Sequence, residues 1–292
     1  MNSVFELLRL LRPKHWVKSL FVFAGLFFGH ALGDTVLVWH VVAAAVGFSL
    51  VSSAVYIIND IADRDADRRH PVKCERPLAK GSVSVAAAVV LALLVGVVGG
   101  VAGYVASPLV AILLGLYGVL NIAYSFGLKR VVLLDVFIIA AGFMLRLLAG
   151  TSGVGIQPSQ WLLLCGLMLT LFLGFVKRRA ELGAESDSDK DLQRKVLRYY
   201  SPALLDGLIT ITAACIIMSY SLYTLSPETI ALHRTPWLML TVPFVIFGVF
   251  RYLFLLHYHQ QGEDAATEAV RDPQLFITVV LWLGTTQWLL AR

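Results

Sequence analysis

Apolar residues run through this chain in long blocks and do not alternate with polar ones. Predominantly apolar blocks of about 20 residues predict helices that cross a bilayer. They fall at 17–33, 37–58, 83–105, 109–125, 133–150, 159–176, 204–225, 236–258 and 275–291. Between them lie two long polar stretches, 59–82 and 177–203. Ahead of the first block, Val4, Leu7, Leu8 and Leu11 share one helical face, with Glu6 and Arg9 off it. That spacing predicts a short interfacial helix over 1–15 and not a cleavable leader.

Composition narrows the class. Of 292 residues, 58% are hydrophobic and 15% charged, and the mean hydropathy is +0.76. Those values exclude a soluble globule and a disordered chain. Nine helices of about 20 residues would use about 180 positions, so one all-α membrane domain over 1–292 is expected. Cys74, Cys165 and Cys215 are scattered and odd in number. They predict neither a disulfide framework nor a zinc site.

The net charge is +5, and its distribution says more than its sum. Of the 24 Lys and Arg residues, 20 fall in segments on one side of the predicted spans. Arg234 and Arg292 lie on the other side, and Arg146 and Arg251 fall within spans. The crowded side is expected to be cytoplasmic, with the N-terminus inside and the C-terminus outside a bacterial inner membrane. Of the 19 acids, only Asp34 and Glu228 face outward. The chemistry is therefore expected at the cytoplasmic face. Membrane topology and anionic lipid account for basic loops, and no nucleic-acid partner is expected.

The second span runs into NDIADRDADRRHPVKCERPLAKG, which contains Asn59, Asp60, Asp63 and Asp67. On a continuing helix these four fall within an arc of about 100 degrees, while Asp65, Arg64 and Arg68 leave it. Pro71 predicts that the helix ends at His70. Three carboxylates and an amide oxygen on one face repel one another unless a cation sits among them. Mg²⁺ takes hard oxygens and bridges to phosphate, so this pattern predicts a metal–diphosphate site.

N-D-x-x-D-x-x-x-D at the end of the second of nine spans resembles the UbiA superfamily of intramembrane prenyltransferases. The resemblance covers essentially the whole chain. It implies nine helices around a central cavity, a cytoplasmic polar cap formed by 59–82 and 177–203, Mg²⁺ under that cap, and a lateral opening for a polyprenyl chain.

Members of that family usually carry a second acidic motif after span 6. Here the span exits as FVKRRAELG. Lys177, Arg178 and Glu181 share one helical face, and Arg179 points away. Asp187 and Asp191 match D-x-x-x-D only inside the polar run ESDSDKD, which reads as a solvated loop. A cationic helix end binds phosphate directly.

With LRPKHW-V-K, YSFGLKRVVLLDV and GFMLRLLAG, this end resembles the branch that moves a 5-phosphoribosyl group from phosphoribosyl diphosphate to a decaprenyl-type phosphate. That resemblance implies diphosphate release, Mg²⁺ dependence and a product for arabinan-type cell-wall synthesis. It makes Asp60, Asp63, Lys177, Arg178 and Glu181 the catalytic candidates. Asn59, Asp60, Asp63 and Asp67 are the metal candidates. Three anionic groups need many cations, which points to Arg12, Lys14, Lys18, Lys73, Arg76 and Lys129, with Asn59 and Tyr124, as substrate contacts. Arg251 and Tyr252, near the cytoplasmic end of span 8, join that set.

The alternatives are a prenyl transfer from a polyprenyl diphosphate to an aromatic acceptor and, remotely, a transporter with an anion-binding vestibule. A homo-oligomer is compatible with the sequence. Intramembrane Arg146 should face protein and have a partner. The glycines Gly96, Gly99, Gly100 and Gly103 predict close helix packing and no site.

Overall fold

The computed structural model describes residues 3–29, 31–183, 195–259 and 272–290. Among them every regular element is helical, and the chain divides into two compact units. The first comprises residues 1–129 and 142–158, the second 130–141 and 159–292.

In the first unit, α1 (Ser3–Leu11) precedes a 3₁₀ helix (Pro13–Phe23) and the short α2 (Ala24–Phe28). α3 (Thr35–Ala62) is followed by one turn of α4 (Arg64–Asp67), then α5 (Pro77–Lys80), α6 (Val85–Ala106) and α7 (Pro108–Phe126). The later half of α8 (Leu134–Ala149) also belongs here. α3 forms the middle of this unit, with Val41, Ala44, Phe48 and Ile57 fully buried.

Small residues let α6 lie against it. A Cβ on Gly47 would come within 3.0 Å of the Gly99 carbonyl oxygen, and one on Gly99 equally close to the Gly47 oxygen. Backbones approach this closely only where neither residue carries a side chain. Gly103 is crowded instead by a side chain, a Cβ there falling 2.2 Å from Leu114 Cδ1, whereas Gly100 faces open space. The predicted packing role holds for three of the four glycines, since Gly96 also lies against Ala54.

The second unit holds the start of α8, then α9 (Gln160–Gly183), a 3₁₀ turn (Lys195–Tyr199), α10 (Pro202–Leu225), α11 (Pro227–His233), a 3₁₀ turn (Trp237–Thr241), α12 (Val242–His259) and α13 (Pro273–Leu290). Its core joins Val136, Phe172, Phe175, Leu205, Ile209 and Tyr252.

Helix starts are written locally. Ser107-Pro108, Ser201-Pro202 and Ser226-Pro227 each place a capping hydroxyl before a proline in the first turn. Asp272-Pro273 does the same, with Oδ1 accepting from Leu275 N at 2.8 Å. The cap satisfies an orphan N–H, and proline costs nothing where no N–H is needed.

Among the described residues, eight helices are long and apolar enough to cross a membrane. The outward faces of α6 and α7 carry Val97, Val101, Ile112 and Val119, suited to lipid and not to water. The first predicted span differs from an ordinary helix. An eleven-residue 3₁₀ run rises about 22 Å and five α residues add about 7 Å, so 13–28 reach nearly the bilayer's hydrocarbon thickness without a regular α-helix. Apolar periodicity alone does not distinguish the two helix types.

This segment is pinned to the end of α8. A Cβ on Gly150 would fall 1.7 Å from the Val22 carbonyl oxygen, and one on Gly25 would fall 1.9 Å from the Gly150 oxygen. Gly150→Ala should therefore cost about 1–3 kcal/mol or more through overpacking. Thermal unfolding in detergent, with Gly100→Ala as the uncrowded control, measures it. Equal melting temperatures for the two variants would show that the crossing is not a close one.

Candidate functional site

The acidic motif sits where α3 stops. Asp63 leaves helical geometry at φ −92, ψ 5, so the helix ends at Ala62 and not at His70 as the sequence predicted. The hydrogen-bond ladder carries across the break, from Asp63 N to Asn59 O and from Asp67 N to Asp63 O. α4 then turns Asp67 inward. Asp60 and Asp67 are buried, while Asn59 and Asp63 are half-buried.

Repulsion among these carboxylates is relieved by cations from other segments. Asp60 Oδ1 accepts from Arg12 at 2.6 Å and from Arg76 at 3.0 Å. The same Arg76 nitrogen reaches Asp67 Oδ2 at 2.7 Å, so one guanidinium bridges two acids. Lys129 Nζ lies 3.6 Å from Asp63 Oδ2. Arg12 also stacks over the Tyr56 ring, 5.0 Å from its centroid. To do so it adopts the left-handed region at φ 52, a conformation that costs a non-glycine residue about 1–2 kcal/mol.

Of the other sequence candidates here, Lys14 is exposed, and Lys18, Lys73 and Tyr124 are half-buried. Exposed Glu75 pairs with Lys80 at 2.9 Å, and that hydrogen bond holds its carboxyl below the usual range.

The donor set suits Mg²⁺. Asp60, Asp63, Asp67 and Asn59 supply hard oxygens within nine residues of sequence. Two guanidinium groups already mark the spot as one that calls for positive charge. No three His, Cys, Asp or Glu side chains converge among the described residues. Mg²⁺ does not require such a cage, since one or two carboxylates with substrate phosphate and water suffice.

The end of α9 is arranged differently from the expected shared face. Lys177 is exposed, but Arg178 is only 1% exposed. Its Nε lies 2.8 Å from Asp135 Oδ2, a close ion contact out of line for a hydrogen bond, and its Nη1 donates to Glu181. Arg179 turns away, as predicted, and pairs with Asp206 at 2.8 Å. Asp187 and Asp191 lie outside the described residues.

Two further candidates are spoken for in this unit. Arg251 forms a two-point ion pair with Asp272, at 2.7 and 3.2 Å. That bond holds the Asp272 carboxyl below its usual range and ties α12 to the cap of α13. Tyr252 is buried edge-on against Phe172 in the core. Ion pairing thus engages Arg251 and apolar packing engages Tyr252.

Arg146 finds partners other than a carboxylate. It donates to Gly142 O at 2.9 Å, Ser52 Oγ at 2.8 Å and Tyr117 OH at 3.0 Å. The rings of Tyr117, Phe48 and Phe143 lie 4.5, 5.4 and 5.6 Å from its guanidinium carbon. Hydroxyls and ring faces thus offset the cost of a charge within a span. Sequence reasoning assigned no role to Asp135 or Tyr200. An acid opening an apolar block was a visible signal for the first, and nothing local marked the second.

Eight apolar helices among the described residues, with a charged cluster of acids and arginines at one helix end, define a polytopic membrane protein. The chain belongs to the UbiA prenyltransferase family, whose profile matches residues 19–289. It is 34% identical to decaprenyl-phosphate phosphoribosyltransferase of Corynebacterium glutamicum over 97% of this chain and 86% of that protein. To the enzyme of the same name from Mycolicibacterium smegmatis it is 33% identical, over 97% and 92%. Among solved structures, a UbiA homologue from Archaeoglobus fulgidus bound to GPP and Mg²⁺ superposes with a TM-score of 0.73 at 19% identity, over 98% of this chain and 100% of that one.

Proposed function

We propose that this protein transfers a 5-phosphoribosyl group from phosphoribosyl diphosphate to a polyprenyl phosphate, releasing diphosphate. The observation that carries the reading is the 34% identity to a decaprenyl-phosphate phosphoribosyltransferase along 97% of the chain. The α9 end supports it, being built on Lys177, Arg178 and Glu181 where a second acidic motif would otherwise stand.

The acceptor phosphate is already an anion and needs no strong general base. One of its oxygens attacks the anomeric carbon as the bond from that carbon to the diphosphate breaks. The diphosphate departs with the electron pair, and the centre inverts. Asp60, Asp63 and Asp67 with Asn59 would hold Mg²⁺, which supplies positive charge to the leaving diphosphate. The archaeal homologue solved with Mg²⁺ supports a divalent ion of this kind.

In the first unit, Arg12, Lys14, Lys18, Lys73, Arg76 and Lys129 supply cations for the phosphate groups. Arg12 and Arg76 hold Asp60 and Asp67 until substrate phosphate competes for them. In the second unit, exposed Lys177 neutralises phosphate charge and Glu181 accepts from the ribose hydroxyls. The clustering of basic residues supports a cytoplasmic face for this chemistry.

The test is a paired donor assay on purified protein in detergent with Mg²⁺. One arm supplies labelled phosphoribosyl diphosphate with polyprenyl phosphate. The other supplies labelled polyprenyl diphosphate with 4-hydroxybenzoate. The expected result is a lipid-linked phosphoribose that EDTA abolishes. Label moving only from the prenyl diphosphate would return the protein to ordinary prenyl transfer.

A further inference from the structure

We propose that Tyr200, Asp135 and Arg178 form a buried positioning chain that aims Glu181, making Glu181 the anionic group that the second unit presents to the sugar donor. The proposal rests on the phosphoribosyl-transfer reading for the donor's identity.

The chain is continuous. Tyr200 OH donates to Asp135 Oδ1 at 2.8 Å, Asp135 Oδ2 contacts Arg178 Nε at 2.8 Å, and Arg178 Nη1 donates to Glu181 Oε2. Asp135 is 0% exposed and Arg178 1%, while 26% of the Glu181 side chain is exposed. The buried members thus end on a member that reaches solvent.

Charge separates the two roles. Asp135 gives the buried guanidinium a fully enclosed counter-charge. Glu181, whose side chain is 26% exposed, carries its negative charge to the boundary with solvent. A phosphate ligand needs an accessible cation, and Arg178 is enclosed with both faces of its guanidinium engaged by acids. Arg178 therefore acts through Glu181 and not on phosphate.

Strain marks the same place. Leu133, a γ-branched residue, is held at φ 67. Its backbone N–H donates to Tyr200 OH at 2.8 Å. Tyr200 thus fixes both the strained entry to α8 and the carboxyl two residues on. Burial raises the Tyr200 hydroxyl above its ordinary range, so it stays protonated and keeps donating to Asp135. Strained backbone persists where surrounding contacts over-determine it, and such places cluster at functional sites.

A double-mutant cycle tests the inference on the full chain in detergent, using Tyr200→Phe, Glu181→Gln and the pair. Tyr200→Phe keeps the ring and removes only the hydroxyl. It should lower kcat/KM for the donor about 10-fold and leave the acceptor KM unchanged, with a fall of a few degrees in melting temperature because Leu133 N–H and the Asp135 carboxyl lose a partner. Glu181→Gln should lower donor kcat/KM about 100-fold, and the double variant no further, because Tyr200 acts through Glu181. Losses that multiply to about 1000-fold would overturn the proposal, as would equal loss for donor and acceptor, the pattern of a merely structural residue. Should the wild-type enzyme turn over only a prenyl diphosphate, the function proposed above fails. The same cycle run with that donor still decides whether Tyr200 works through Glu181.

Discussion

Asp60→Ala should abolish transfer, lowering kcat/KM by at least about 10³-fold, while the protein still folds in detergent. The scale follows from removing preorganised charge at a site where charge develops in the reaction. Asp60 is the one acid of its motif that binds two arginines, Arg12 at 2.6 Å and Arg76 at 3.0 Å, through a single oxygen. Its loss takes the acid from Arg12 and one of two acids from Arg76, and removes a proposed metal ligand together. Arg76 keeps Asp67 at 2.7 Å, so α4 and α5 remain joined.

Asp60→Asn separates charge from shape, since the amide oxygen can still accept while the negative charge is gone. It should lose nearly as much activity as Asp60→Ala. Binding of Mn²⁺ in the presence of inorganic diphosphate, read by electron paramagnetic resonance, should weaken in both variants. Retained turnover in Asp60→Ala would sink the assignment of this helix end as the diphosphate site.

Asp135→Asn should destabilise the second unit by about 1–3 kcal/mol, because it takes a buried acid from Arg178 and a charged acceptor from Tyr200. α9 provides its own control in the next residue. Arg179 pairs with Asp206 at the same 2.8 Å, but these side chains are 27% and 36% exposed. Asp206→Asn should cost about 0–1 kcal/mol, since solvent screens that pair and rehydrates the arginine. Two adjacent arginines with equal ion-pair distances thus differ in consequence through burial alone. Thermal unfolding of the two variants in detergent measures the contrast. Equal shifts would mean that water reaches Arg178 and that the chain through Glu181 is not sealed.

Much of this protein was legible from local pattern. Predominantly apolar runs of about 20 residues fix bilayer helices because lipid leaves the backbone no partner but itself. Eight of the nine predicted blocks became long helices, each within a few residues of its expected bounds. The polar motif at the end of α3 was legible for the same reason, as its four donors lie within nine residues of one another. The Ser-Pro and Asp-Pro starts of α7, α10, α11 and α13 are equally local, since each cap bonds within three residues of itself.

Tertiary structure decided which charges meet. Helical periodicity says that residues share a face but not what that face meets. Arg12 and Asp60 pair across 48 positions, and Tyr200 and Asp135 across 65. Lys177, Arg178 and Glu181 share one arc by periodicity, yet one is exposed, one sealed against Asp135 and one at the boundary. The break at Asp63 and the 3₁₀ run over Pro13–Phe23 likewise follow from packing, through Arg76 on the one hand and the Gly25–Gly150 crossing on the other. Burial of a charge depends on segments distant in sequence, so the chain determined its membrane helices and its acidic motif, and only the fold determined which cations hold that motif and which arginine is enclosed.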